Sequence, residues 1–275
     1  MHCFALPNYF TCRKLTYSFC FIIRNFLFLI IFAFAIHACK DSTQRKSDKE
    51  NFSDFFSLKG TLTAGQNKTL LFQKIKVSSF HTVDTILLDD NGSFTFNYES
   101  NFPSFYALKN EQGDYIILLP DSSQKIFISG DYDLNDYSVE GSPDSEALAR
   151  LHFKTRQFLE NIAEIAAITR DSIDSPDYPE IKLQLINQYD TLYSNLRRFS
   201  ADFIDKHALS PVIIFALYNK TGPNTYVFDP VKDLEIFMRA DSILYYLYPE
   251  FSHVKSMHDN INLVKTRLSV KAGTD

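Results

Sequence analysis

Between Phe55 and Ser142 the chain alternates apolar and polar residues in short runs. Phe56, Leu58 and Leu62 fall on one face of an extended segment, and Phe94, Phe96 and Tyr98 do the same further on. A period of two marks a half-buried strand. Leu70 to Phe72, Thr82 to Leu88, Phe105 to Leu108, Tyr115 to Leu119, Ile126 to Ser129 and Tyr137 to Val139 complete the series. Gly113-Asp114, Pro120-Asp121-Ser122 and Gly130-Asp131 punctuate it with turns. Asn91-Gly92 is a pair favoured in type I′ hairpins. Many short strands at this spacing predict an antiparallel β-sandwich or barrel over 55–142.

At Gly141 the period changes. Ser142 followed by Pro143 is a helix-start signal. Leu148, Leu151, Phe158, Ile162 and Ile165 then recur at helical spacing. A second helix is predicted from Pro179 to His207, a short one from Ser210 to Gly222, another from Asp229 to about Pro249, and a last one carrying Val254, Met257, Ile261, Val264 and Leu268. The class is therefore α+β: a β-rich domain at 55–142 followed by an α-helical domain at 143–275.

Before all of this stands an unbroken apolar run, Phe26 to Ile36. A membrane span needs roughly 20 residues, whereas the apolar core of a secretory signal takes about 7–15. Arg13, Lys14 and Arg24 precede the run, and no acidic residue does. Ile36 and Ala38 flank His37 just ahead of Cys39. Apart from His37, that is the pattern of a bacterial lipoprotein signal. Residues 1–38 are expected to be a cleaved signal peptide, and the Cys39 sulfur is expected to carry the lipid. The competing reading is an uncleaved anchor extended by Phe19 to Ile23. Residues 39–54, polar and charged, read as a flexible tether.

Composition narrows the function classes. The formal net charge is −5 with no basic cluster, which gives no footprint for nucleic acid. The four cysteines are Cys3, Cys12, Cys20 and Cys39, so the body after Cys39 can make no disulfide, thiol nucleophile or thiolate metal site. The sequence has no GxSxG, P-loop, GxGxxG or HExxH signature. Asp131 to Asp136 imitates the start of a calcium loop, but Asp136 stands where that loop needs Gly and Ser142 where it needs Glu. His81, His152, His207, His253 and His258 read as surface or helix-end residues. No catalytic, cofactor-binding or metal-ligating residue is assigned, and no cofactor is expected.

Several pieces together are similar to a known domain: Phe56-Ser-Leu58-Lys-Gly60, Val83-Asp84-Thr85-Ile86, Asp90-Asn-Gly92-Ser-Phe94-Thr-Phe96, Leu119-Pro120-Asp121-Ser122, Ile126-Phe-Ile128-Ser-Gly130-Asp131 and Tyr137-Ser-Val139-Glu-Gly141-Ser142. The chain resembles the uncharacterised N-terminal region, β-rich then helical, of exported thioredoxin-like (TlpA-like) lipoproteins of Gram-negative bacteria. In those proteins a thioredoxin domain with a CxxC dithiol usually follows, and no such dithiol occurs here. The resemblance implies fold and compartment without carrying reductase activity over.

The expectation is an exported, lipid-anchored envelope protein facing the periplasm or cell surface and acting as a non-catalytic binding or interaction module. Its expected partners are the membrane, through the lipid, and a thioredoxin-fold protein docking around Val254 to Leu268. The alternative is a hydrolase or carbohydrate-active lipoprotein with a site between the two domains; a third reading is a truncated form of a larger redox protein. Asp-Ser/Thr triplets at Ser42, Thr85, Ser172, Thr191 and Ser242 resemble an O-glycosylation sequon of some exported proteins, with Ser42 in the tether the first choice.

Overall fold

The computed structural model describes residues 55–100, 103–223 and 225–272. The signal peptide, the tether, Cys39 and Ser42 lie outside them. Among the described residues, no helix is long and apolar enough to cross a membrane.

Eight strands come first: β1 (Phe55–Thr63), β2 (Thr69–Ile75), β3 (Phe80–Leu87), β4 (Ser93–Glu99), β5 (Tyr106–Lys109), β6 (Tyr115–Leu118), β7 (Lys125–Asp131) and β8 (Tyr137–Glu140). They form two four-stranded sheets, ordered β4-β1-β7-β8 and β3-β2-β5-β6. The sheets do not close into a barrel. Pairing is antiparallel throughout except between β1 and β7, which run parallel. The α+β class expected from the sequence is what the structure shows, with two open sheets in place of the barrel alternative and one parallel pair in an otherwise antiparallel arrangement.

The Asn91-Gly92 turn differs from expectation as well. β3 and β4 belong to different sheets, so the turn is a corner between layers. Gly92 has φ +74° while Asn91 has no positive φ, so the turn is not type I′. Asp89 shapes it, its Oδ1 accepting from the N–H groups of Asn91 and Ser93 at 2.8 Å each.

Alternation assigns each face a partner. Ile116 and Leu118 of β6 join Phe56, Phe72, Tyr106 and Ile126 between the sheets. Ile117 and Leu119, on the opposite parity, pack with the helices. The second sheet is thus covered on both faces, which explains why β5 is buried nearly throughout.

The helices are α1 (Pro143–Ser172), α2 (Tyr178–Lys206), α3 (Ile213–Leu217), α4 (Leu234–Leu247) and α5 (Ser252–Ala272). α1 and α2 make a long hairpin whose outer half leaves Leu159, Ile168, Leu183 and Ile186 exposed. A small hairpin of β9 (Lys220–Gly222) and β10 (Thr225–Tyr226) follows α3 and was not foreseen in the sequence.

The helix-start signal at Ser142 does more than cap. Ser142 Oγ accepts from the Ser145 amide at 3.4 Å and donates to the Leu119 carbonyl at 3.3 Å. Ser145 Oγ accepts from the Leu119 N–H at 3.0 Å. Glu146, one residue beyond the position of a capping box, accepts from the Gly141 N–H at 3.0 Å. The start of α1 is thereby stitched to the end of β6, and both serines are buried. Gly141 has φ +87°, and a Cβ there would sit 2.1 Å from the Lys125 carbonyl oxygen, so only glycine fits this junction.

Candidate functional site

Beside α1 lies a cleft of about 360 Å³. Its walls are the β5–β6 turn (Gly113, Asp114, Tyr115), the β7–β8 turn (Leu134, Asn135), the inner face of α1 (Leu148, Leu151, His152, Thr155, Arg156) and the end of α3 (Phe215, Asn219). The floor is apolar, from Ile117, Leu134, Leu148 and Phe215, and the rim is polar. A concave apolar floor with a few placed polar groups is the usual form of a small-ligand site.

The two turns are held in register by Asn110. Its Oδ1 accepts from the Asp114 N–H at 2.8 Å, and its Nδ2 donates to the Tyr132 carbonyl at 3.0 Å and to Asp114 Oδ2 at 3.3 Å. The Tyr132 hydroxyl donates in turn to the Thr69 carbonyl at 2.7 Å. Asp131 to Asp136, dismissed above as a calcium loop, is solvated at Asp131, Asp133, Asn135 and Asp136. Tyr132 and Leu134 turn inward from it. Among the described residues no three His, Cys, Asp or Glu side chains gather as a metal site.

At the edge of the cleft, His152 Nδ1 lies 2.7 Å from the Tyr137 hydroxyl. Burial pushes the Tyr137 phenol well above its ordinary value, so it stays protonated. His152 keeps solvent-accessible surface, yet its ring packs on Tyr137 and Phe153. Loss of hydration, reinforced by the charge of Arg156, lowers its pKa and favours the neutral ring. Arg156 lies over the Phe153 ring, 4.8 Å from guanidinium carbon to centroid. Its Nε is 3.5 Å from Glu160, which is mostly exposed, and its Nη1 is buried with no hydrogen-bond partner. Asn219 Nδ2 donates to Thr155 Oγ1 at 2.7 Å, pinning α3 to α1.

The model of one family, described as a domain of unknown function, covers part of this architecture. A DUF4369 domain is found at residues 56–148. It takes in all eight strands of the two sheets and the capped start of α1, up to Leu148. The turns that line the cleft, with Asp114, Tyr115 and Asn135, belong to the DUF4369 domain; His152, Thr155 and Arg156 come from α1 after it, and Asn219 from the segment between α3 and β9. The cleft is therefore built across the end of the DUF4369 match. No curated protein and no solved structure matches the chain.

His81 and His152 are exposed, His207 ends α2 and His253 stands at the start of α5, in line with the expectation of surface or helix-end positions; His258, inside α5, departs from it. His152 is at the cleft. Both ring nitrogens of His253 are buried beside the Lys76 backbone, its ring set edge-on to Phe105 at 5.1 Å. It borders a second cavity of about 350 Å³ beside the α4–α5 turn. His258 Nδ1 lies 2.9 Å from Asp241, and its Nε2 faces Asn262 Nδ2 at 2.9 Å. That Asp–His pair matches the geometry of a relay, but Asn262 occupies the nitrogen that a nucleophile would use.

Val254, Met257 and Ile261, named above as a docking face, are core residues here. Leu263, Leu268 and Val270 of the same helix are exposed. Of the other sequon hydroxyls, Thr85 is exposed on β3. Ser172, Thr191 and Ser242 donate to the carbonyls of Ile168, Asn187 and Met238 within their own helices. Sequence reasoning missed the cleft because its residues come from four separated segments, and the capping pattern at Ser142 was the one local sign of where they meet.

Proposed function

We propose that this chain is an exported envelope protein, anchored through a lipid on Cys39, that works as a non-catalytic binding module with its ligand in the cleft beside α1. The observation that carries the reading is the cleft itself, an apolar floor with hydrogen-bonding groups from two β-turns and two helices converging on its rim. The Phe26 to Cys39 pattern supports the anchor. The likeness to the N-terminal regions of TlpA-like lipoproteins supports the compartment. An ancestral link to a redox system follows from the same likeness, and a thioredoxin-fold partner is part of the proposal.

The alternative of an interdomain hydrolase site has less behind it. Away from the cleft, the surface between strands and helices is filled by Phe105 and Leu119. The cleft carries one carboxylate, Asp114.

The test is purification of the full-length chain from its native membrane fraction, with mass spectrometry of the protein and of whatever small molecule it carries. Wild type is expected in the membrane fraction with a lipid mass on Cys39, and Cys39→Ser in the soluble fraction. A small molecule retained by wild type and lost from Thr155→Trp, whose indole fills the cleft, supports the site. Membrane retention of unlipidated Cys39→Ser overturns the anchor. Equal ligand content in Thr155→Trp overturns the site.

A further inference from the structure

The polar groups of the cleft are not evenly matched, and their imbalance selects a ligand. His152 and Arg156 are four apart on α1, so one helix face presents both to the cleft. The protonated Tyr137 phenol is buried, and the acceptor it meets is His152 Nδ1. A neutral ring that accepts at Nδ1 carries its proton on Nε2, which makes that nitrogen a donor. Arg156 is a donor without a firm acidic partner, touching only an exposed Glu160 at 3.5 Å.

The acceptors facing them are few. Asp114 Oδ2 is already engaged by Asn110. Asp133, on the neighbouring turn, accepts from the Asn135 N–H at 3.0 Å, and that bond, with help from Arg156, holds its pKa below the usual carboxylate range. Asn219 is spent on Thr155.

We propose that the cleft binds small molecules through a carboxylate, whose oxygens are taken by the Arg156 guanidinium and the Nε2–H of His152. The body of the ligand lies over Ile117, Leu134 and Phe215. A planar guanidinium matches a carboxylate in geometry as well as charge. Arg156 is the one cationic side chain lining the cleft, and with Asp114 and Asp133 close by a phosphate dianion would meet more repulsion than a monoanion does. This inference rests on the binding-module reading above.

The test titrates the full-length chain, labelled with ¹³C at histidine, with three matched pairs: phenylacetate and phenylacetamide, galacturonate and galactose, succinamate and succinamide. At least one acid is expected to shift the His152 ring signals and to bind about tenfold or more tighter than its neutral counterpart, the scale of a charge-assisted hydrogen bond. Arg156→Gln removes that preference. Arg156→Lys, which keeps the charge and loses the planar fork, reduces it and serves as the second variant should the glutamine form fail to fold. Neutral members that bind as tightly as the acids, with the Arg156 variants indifferent, overturn the carboxylate assignment and leave the binding module standing. If no member of any pair moves the His152 signals, the cleft loses its assignment as a binding site altogether.

Discussion

The Tyr137 hydroxyl sits 2.7 Å from Nδ1 of His152, joining the last strand of the first sheet to α1 at the edge of the cleft. The bond fixes the ring that faces the cleft. Tyr137→Phe keeps the buried ring and deletes the bond, with an expected cost of about 1 kcal/mol in denaturant unfolding. Arg156→Gln acts on the same ring through charge. Removing the guanidinium is expected to raise the His152 pKa, as followed by an NMR titration of the ring protons, because Arg156 now helps to lower it.

Acid should weaken the fold in a defined window. The pKa values of His152, His207 and His253 are all lowered in the native state, chiefly by burial. The unfolded chain therefore binds protons that the native chain refuses, and stability rises with pH across that interval. The contribution is complete above about pH 6.5, the ordinary histidine value, and is lost as pH falls toward the lowered native values. His253→Phe fits the aromatic setting of Phe105 and Phe251 and removes one of these groups. Melting temperatures measured between neutral and mildly acidic pH should fall less steeply for this variant than for wild type.

Phe105 carries the contact between strands and helices. It is fully buried, with its ring 4.8 Å from that of Phe215 and 5.2 Å from that of Phe251. Phe105→Ala is expected to cost about 3–5 kcal/mol in chemical denaturation, as buried phenylalanines do. Phe127, half exposed on β7, is the control, and its alanine variant should stay within about 0.5 kcal/mol of wild type.

Arg197 is the main polar tie within the helical part. It donates to both oxygens of Asp233 and to the Val227 carbonyl, and it lies over the Phe228 ring. The pairing holds the Asp233 carboxyl below its usual range and so adds stability that is present above about pH 4 and lost below it. The guanidinium is partly exposed, so solvent screening limits its worth. Arg197→Met is expected to destabilise by about 1 kcal/mol, and its unfolding free energy should depend less on pH between 2 and 4 than that of wild type.

The strands were legible because burial on one face writes a period of two directly into residues such as Phe56, Leu58, Ile116 and Leu118. The start of α1 was legible because capping is local to Ser142, Pro143 and Glu146. Pairing partners were not, since the parallel match of β1 with β7 depends on contacts far apart in sequence. The β3–β4 corner misled for a related reason: Asn-Gly reports a turn, not which sheet each flank joins. The cleft left no sequence pattern, because Asp114, Asn135, Arg156 and Asn219 meet only once the turns and helices are packed. His253 is the helix-end residue its position suggests, but the packing of its ring against Phe105 and Phe251 could not be seen from the sequence.

The most direct test of the account is a crystal structure of the protein with the acid that binds best in solution. The account predicts the molecule in the cleft beside α1, its carboxylate against Arg156 and His152 and its body over Ile117 and Phe215. An empty cleft with the acid seated elsewhere on the chain would contradict it.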